Sequence, residues 1–168
     1  MHPLQQVIAE SEGFVLIGDS SADRFPRLSY NAYTKAGKTF HCLDLGGLKE
    51  SRGPTKGGPV YSTVAELPSD RDDLAVIWVK PGRAKEAVEL AQRAGCRRIW
   101  FSFQTGHRDA VARALELGLE VVEIGRCPVY YMDSPPTLCA AHKAMTKVSG
   151  TWGKPPQLDP TAKRREIW

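Results

Sequence analysis

The chain has 168 residues, of which 42% are apolar and 25% charged, as expected for one globular domain. No apolar run approaches the roughly 20 residues of a membrane-spanning helix, and the first residues lack the basic start and apolar core of a signal peptide. The sequence therefore predicts a cytoplasmic protein with no membrane partner.

The net charge of +4 arises entirely from the C-terminal segment. Residues 1–133 carry 17 basic and 17 acidic side chains, whereas residues 134–168 carry six basic and two acidic ones. A nucleic-acid surface needs basic residues spread over a folded face, so this segment favours a solvated tail and no nucleic-acid partner. We therefore divide the chain into a domain over residues 1–133 and a basic extension over residues 134–168.

The first half of the domain begins with a predicted helix over the first ten residues, with Pro3 near its first turn. The continuous apolar run 14–18 is typical of a strand that is buried on both faces. Residues 29–36 predict a helix and residues 39–43 the next strand. A Gly/Pro-rich loop follows, with basic residues at Lys49, Arg52 and Lys56, and then a brief helical turn at 63–67.

The second half repeats the alternation more clearly. Strands are predicted at 74–79, 98–101 and 119–124, and helices at 83–94 and 108–117. Such alternation predicts an α/β fold, namely a Rossmann-like, doubly wound parallel sheet of about five strands in three α/β/α layers. In the extension, residues 137–148 predict one more helix, and the Gly/Pro-rich residues 150–160 a linker or an arm lying on the surface.

In open parallel sheets, ligands bind beyond the carboxyl ends of the strands, near the point where strand order reverses. The first loop in such a position follows residues 14–18, and its small residues and hydroxyls suit a phosphate group. It lacks the dinucleotide motif G-x-G-x-x-G, since Ser20 and Asp23 stand at the second and third glycine positions. The alternative is a tight strand-to-helix turn without a ligand.

Two further loops occupy equivalent positions. One places the cations Lys80 and Arg83 around Pro81 and Gly82 at a helix start, where they suit an anion. The other precedes the helix over 108–117, so that Thr105 is a candidate helix cap and the Thr105–Gly106 backbone a candidate ligand contact. His107 is a candidate base, although a single histidine in a first helical turn is more often structural. The alternative for each loop is a solvated turn.

Cysteine and acidic residues offer weaker candidates. The four cysteines are predicted to be free thiols, and Cys139 with His142 lacks the second ligand pair that a zinc site requires. Cys127 would be reactive if Arg126 lowered its pKa, whereas a buried inert thiol is the commoner case. Asp44 stands where an acid can hold the ribose of NAD, although an acid there more often caps a loop.

Taken in order, several stretches resemble the stand-alone CoA-binding domain family, whose relatives include the CoA-binding domain of the succinyl-CoA synthetase alpha subunit. The resemblance covers roughly residues 7–133. Its carrying stretches are Phe14-Val15-Leu16-Ile17-Gly18-Asp19-Ser20-Ser21, Arg27-Leu28-Ser29-Tyr30, the segment 57–68, the segments 98–106 and 118–122, and Arg126-Cys127-Pro128.

The resemblance implies a Rossmann-like fold that holds coenzyme A or an acyl-CoA across the strand ends. Carried over by position, the nucleotide and phosphates would meet the first strand end and the loop after it. The adenine end or the phosphates would meet the loop at 80–83, and the pantetheine arm would meet the segment 105–106. The implied contact residues are Gly18, Asp19, Ser20, Ser21, Arg27, Ser29, Lys80, Pro81, Gly82, Arg83, Thr105 and Gly106.

The chain departs from the family pattern at three places. Asp19 replaces a small residue and brings a negative charge to the expected phosphate site. Asp44 and Gly46 replace an Asn-Pro-like turn, and Lys80-Pro81-Gly82 replaces a Phe-Arg type of sequence.

We therefore carry three hypotheses. The first is a non-catalytic or regulatory CoA-binding protein, in which Cys127 could form a mixed disulfide with the CoA thiol. The second is an NAD(P)-binding oxidoreductase, or one chain of an acyl-CoA synthetase that works with a partner chain. The third is a relative that has lost its nucleotide site. Homo-oligomers are compatible with each of them.

Overall fold

Six parallel strands form one sheet in the computed structural model, which describes residues 1–22, 24, 29–48, 59–69, 73–133, 135 and 137–162. The strand order is β3-β2-β1-β4-β5-β6. The strands are β1 (Gly13–Gly18), β2 (Thr39–Asp44), β3 (Val60–Tyr61), β4 (Leu74–Trp78), β5 (Arg98–Phe101) and β6 (Glu120–Ile124). The predicted doubly wound fold is confirmed. The sheet has one more strand than expected, since the two-residue strand β3 was not predicted.

The described residues form five α-helices: α1 (Pro3–Glu10), α2 (Ser29–Lys35), α3 (Ala84–Arg93), α4 (Arg108–Glu116) and α5 (Thr137–Val148). Short 3-10 turns occupy 20–22, 64–66, 81–83 and 128–131. Each predicted helix is present, within three residues at its ends.

Hydrophobic cores form on both faces of the sheet, which explains the continuous apolar strands. On one face α3 and α4 pack over Ile17, Ile77 and Phe101. On the other face α1, α2 and the turn at 128–131 pack over Leu16 and Trp100. All six residues of β1 are buried. The carboxyl end of β1 is therefore packed on both faces near the centre of the sheet.

The extension, as far as residue 162, packs against the domain and is not a solvated tail. The backbone N–H of Ile124, the last residue of the edge strand β6, donates to the Gln157 carbonyl at 2.9 Å, so the arm lies beside this strand. The buried Arg126 guanidinium bonds the Glu123 carboxylate and donates to the carbonyls of Lys154 and Pro155, both at 2.9 Å. Residues 150–160 thus lie as an arm against the domain.

Candidate functional site

Strand order reverses at β1, which lies between β2 and β4. Its last residue, Gly18, pairs in register with Asp44 at the end of β2 and with Trp78 at the end of β4. The loops after these three strands therefore begin side by side. This is the edge of a doubly wound sheet at which ligands bind. The first two candidate loops of the sequence thus lie next to each other.

The Asp19 side chain is turned inward and is only 1% exposed. Its Oδ1 accepts hydrogen bonds from the Ser21 backbone N–H at 3.1 Å and from the Ser21 hydroxyl at 2.5 Å. Its Oδ2 forms an ion pair with Arg83 Nη1 at 3.0 Å. Burial alone would raise the pKa of Asp19, but the hydrogen bonds and the Arg83 charge hold it below its usual value. The expected unbalanced negative charge is therefore neutralised within the protein.

A second carboxylate holds the other serine of this loop. Asp44 accepts from the backbone N–H and the hydroxyl of Ser20, each at 2.7 Å, and from the Leu48 backbone N–H at 2.6 Å. Both oxygens of Asp44 thus have partners within the chain. This agrees with the loop-capping interpretation and does not favour Asp44 as a ribose contact for NAD.

Gly46 explains how the β1 and β2 loops come so close. A Cβ atom at this position would lie 2.5 Å from the Ser20 hydroxyl and 2.5 Å from the Ser21 backbone nitrogen. Only glycine fits such a close approach without displacing the backbone. The two residues that depart from the family pattern here, Asp44 and Gly46, therefore both take part in the close contact between the β1 and β2 loops.

The loop after β4 presents its two cations differently. Arg83 is shared between Asp19 and Glu86, whose carboxylate lies 2.8 Å from Arg83 Nη2. The Lys80 side chain is exposed, and no carboxylate of the described residues pairs with it. Pro81 begins the 3-10 turn, and a Cβ at Gly82 would meet nothing within 4 Å. Lys80 is therefore the accessible cation of this loop.

Four half-buried side chains from the β1 loop, the end of β4 and the β5 loop form an aromatic and cationic cluster that the sequence analysis did not assign: Arg24, Trp78, Phe103 and Gln104. Arg24 Nη2 donates to the Gln104 amide oxygen at 2.7 Å and lies 6.0 Å from the centre of the Trp78 ring. The Trp78 and Phe103 rings are 5.3 Å apart. No carboxylate in the described part of the chain neutralises Arg24. The only sequence signal was the position of these residues at strand ends.

The loop after β5 points partly into the protein. Thr105 is fully buried, and a Cβ at Gly106 would lie 2.2 Å from Ile124 Cγ2. The cap of α4 is His107, not Thr105, because His107 Nδ1 accepts from the Asp109 backbone N–H at 3.3 Å. Gln104 has a φ of +57°, which is uncommon for a residue other than glycine.

Arg126 does not activate Cys127. Its guanidinium faces Glu123 and the C-terminal arm. Burial raises the pKa of the Cys127 thiol to about 12. The thiol is therefore protonated near neutral pH, which favours the inert alternative for Cys127 over the reactive one.

The other predicted contacts lie beyond the described part. Arg27 is outside the described residues, as are Lys49, Arg52 and Lys56, and so is the Ser29 side chain, although Ser29 begins α2.

Comparison with known proteins decides the family. The family model described as "CoA binding domain" matches residues 14–132, from β1 to the turn after β6. The chain belongs to this CoA-binding domain family. The match covers the carboxyl edge described above and stops before the extension. No curated protein matches the chain.

Solved structures with the same fold include proteins from two Pyrococcus species. A hypothetical protein from Pyrococcus horikoshii OT3 is 24% identical, with a TM-score of 0.64, over 76% of this chain and 86% of that one. Prb, a PH1109 protein redesigned for binding, is 21% identical with a TM-score of 0.62 over the same shares. A conserved hypothetical protein from Pyrococcus furiosus is 22% identical with a TM-score of 0.56, over 70% and 97%. These similarities show that the fold of this chain is shared with those proteins.

None of the described helices of this family member is long and apolar enough to cross a bilayer. No three of its described His, Cys, Asp and Glu residues cluster as metal ligands would. A cavity of about 370 Å³ is lined by Ile8, Lys38 and Tyr131, among others, and lies near the amino ends of β1 and β2, away from the candidate loops.

Proposed function

We propose that this protein binds coenzyme A, or an acyl-CoA, across the carboxyl edge of its sheet. The observation that carries the proposal is the meeting of the β1 and β4 loops at the switch point of a chain in the CoA-binding domain family. The Asp19–Arg83 pair directly joins these two loops. A ligand lying across this edge would contact both of them.

Charge supports a polyanionic ligand at this edge. Arg24 and Lys80 follow β1 and β4, and neither is paired with a carboxylate of the described residues. The phosphates of CoA would gain most from these two cations, because Arg83 already has two carboxylate partners. The Trp78–Phe103 pair beside Arg24 offers an apolar surface for the uncharged part of the ligand.

We further propose that the protein carries or senses its ligand instead of transforming it. The candidate base, His107, uses its ring nitrogen as a helix cap. The thiol that the sequence left open as reactive, Cys127, has a pKa far above neutrality. The Nδ1 atom of His107 is therefore engaged as a cap, and the Cys127 thiol is protonated near neutral pH.

The test is calorimetric titration of the purified protein with CoA, acetyl-CoA and NAD, after native mass spectrometry for a co-purified ligand. We expect micromolar CoA binding that Lys80→Glu weakens at least tenfold. The control is Lys35→Glu, which makes the same charge change at the last residue of α2. It should leave the affinity unchanged.

The other hypotheses predict different outcomes. Binding of NAD but not CoA would support a dinucleotide-binding protein. Binding of CoA only in the presence of a second chain would support a synthetase subunit. If no nucleotide binds the protein under any of these conditions, the proposal is wrong.

A further inference from the structure

The donors around the Asp19 carboxylate are those that bind a ligand phosphate in other proteins. They are one backbone N–H and one hydroxyl, both of Ser21, and the Arg83 guanidinium. Backbone amides, hydroxyls and arginine together make an anion site. Here the anion is part of the chain itself, and its carboxylate is 1% exposed.

The backbone conformation of the β1 loop is held by backbone hydrogen bonds and does not depend on the Asp19 side chain. The Asp19 backbone N–H donates to the Arg24 carbonyl at 2.7 Å, and the Arg24 N–H donates to the Asp19 carbonyl at 2.9 Å. The Ala22 N–H also donates to the Asp19 carbonyl, at 3.2 Å. Removing the carboxylate should therefore leave the Ser21 and Arg83 donors near their present positions.

We propose that Asp19 is a specificity-determining residue that occupies, with its own carboxylate, an anion site between the β1 and β4 loops. A phosphate of the ligand is thereby excluded from Ser21 and Arg83 and must be held by other cations of the edge. The inference rests on the proposed function only for the identity of the ligand. It predicts that removing the carboxylate creates a phosphate site.

The experiment is calorimetric titration of Asp19→Ala with inorganic pyrophosphate and, separately, with CoA. We expect pyrophosphate to bind the variant at least tenfold more tightly than the unchanged protein. The matched control is Glu86→Ala, which also removes one negative charge and one Arg83 partner but leaves Asp19 in place. Its affinity for pyrophosphate should remain that of the unchanged protein.

Asp19→Asn provides a second variant if Asp19→Ala does not fold. It keeps the side-chain shape and an oxygen for the Ser21 donors, so we expect a smaller gain, about threefold. Equal pyrophosphate affinity in all variants, or an equal gain in Glu86→Ala, would overturn the inference. Failure of the unchanged protein to bind CoA, with a gain for pyrophosphate in Asp19→Ala, would remove the proposed function alone.

Discussion

Ser20 places its backbone N–H and its hydroxyl on the two oxygens of the Asp44 carboxylate, each at 2.7 Å. This contact joins the loops after two adjacent parallel strands. Because Asp44 is 2% exposed, its charge depends on these donors and on the Leu48 N–H for stabilisation.

Asp44→Ala should lower the free energy of unfolding by about 3 kcal/mol, because hydrogen bonds to a buried charge are lost and their donors are left unpaired. Urea denaturation measures this loss. The control is Asp109→Ala, whose side chain is 65% exposed and should have little effect. Equal losses in both variants would show that the Asp44 contacts contribute little.

Gly46→Ala should destabilise the protein by about 2 kcal/mol, since its Cβ would meet the Ser20 hydroxyl and the Ser21 nitrogen at 2.5 Å. Gly82→Ala is the matched control, because a Cβ there meets nothing within 4 Å. It should be neutral or slightly stabilising. Thermal melts of the two variants compare them directly, and a normal melting temperature for Gly46→Ala would contradict the close approach.

Arg126→Met should cost about 4 kcal/mol, because it removes the positive charge that is paired with the buried Glu123 carboxylate. It should also release the arm over residues 150–160, which loses the bonds from Arg126 to its carbonyls. Limited proteolysis should then cut this arm first. Arg113→Met, which breaks ion pairs with Glu89 and Glu116 at the surface, should leave the arm protected.

Cys127 should react slowly with iodoacetamide at pH 7.5, because a thiol with a pKa of about 12 is almost entirely protonated there. Peptide mass mapping checks the modified fraction, with the urea-unfolded protein as the reference in which all four cysteines react. A mixed disulfide between Cys127 and CoA in the folded protein would contradict this prediction.

The stability contributed by the Asp19 carboxylate should disappear in acid. Its folded-state pKa is lowered, so the contribution is fully present above the unfolded pKa of about 3.9 and is lost as pH falls through the lower folded value. Asp19→Asn should therefore be less stable than the unchanged protein at pH 6, and the difference should shrink below about pH 4. Denaturant titrations across this range test it. A constant difference would show that ionisation of Asp19 contributes nothing.

The sequence by itself determined the fold of this protein. Continuous apolar strands and amphipathic helices are local patterns, and their alternation restricts the chain to a doubly wound sheet. The candidate loops after β1 and β4 followed from the same patterns, because ligand sites in such sheets lie at the strand ends. The strand β3 was missed since two residues carry no periodicity.

Only the tertiary structure decided how the side chains at the strand ends are used. Asp19 and Arg83 are 64 residues apart in the chain, and Ser20 and Asp44 are 24 apart. No local pattern reveals such pairings, because they depend on which strands become neighbours. The same holds for Arg126, which lies next to Cys127 in the sequence but turns its charge to Glu123 and the arm. The sequence therefore predicted the candidate loops at the carboxyl edge of the sheet, whereas the packing of the strands decided which charges at this edge are neutralised.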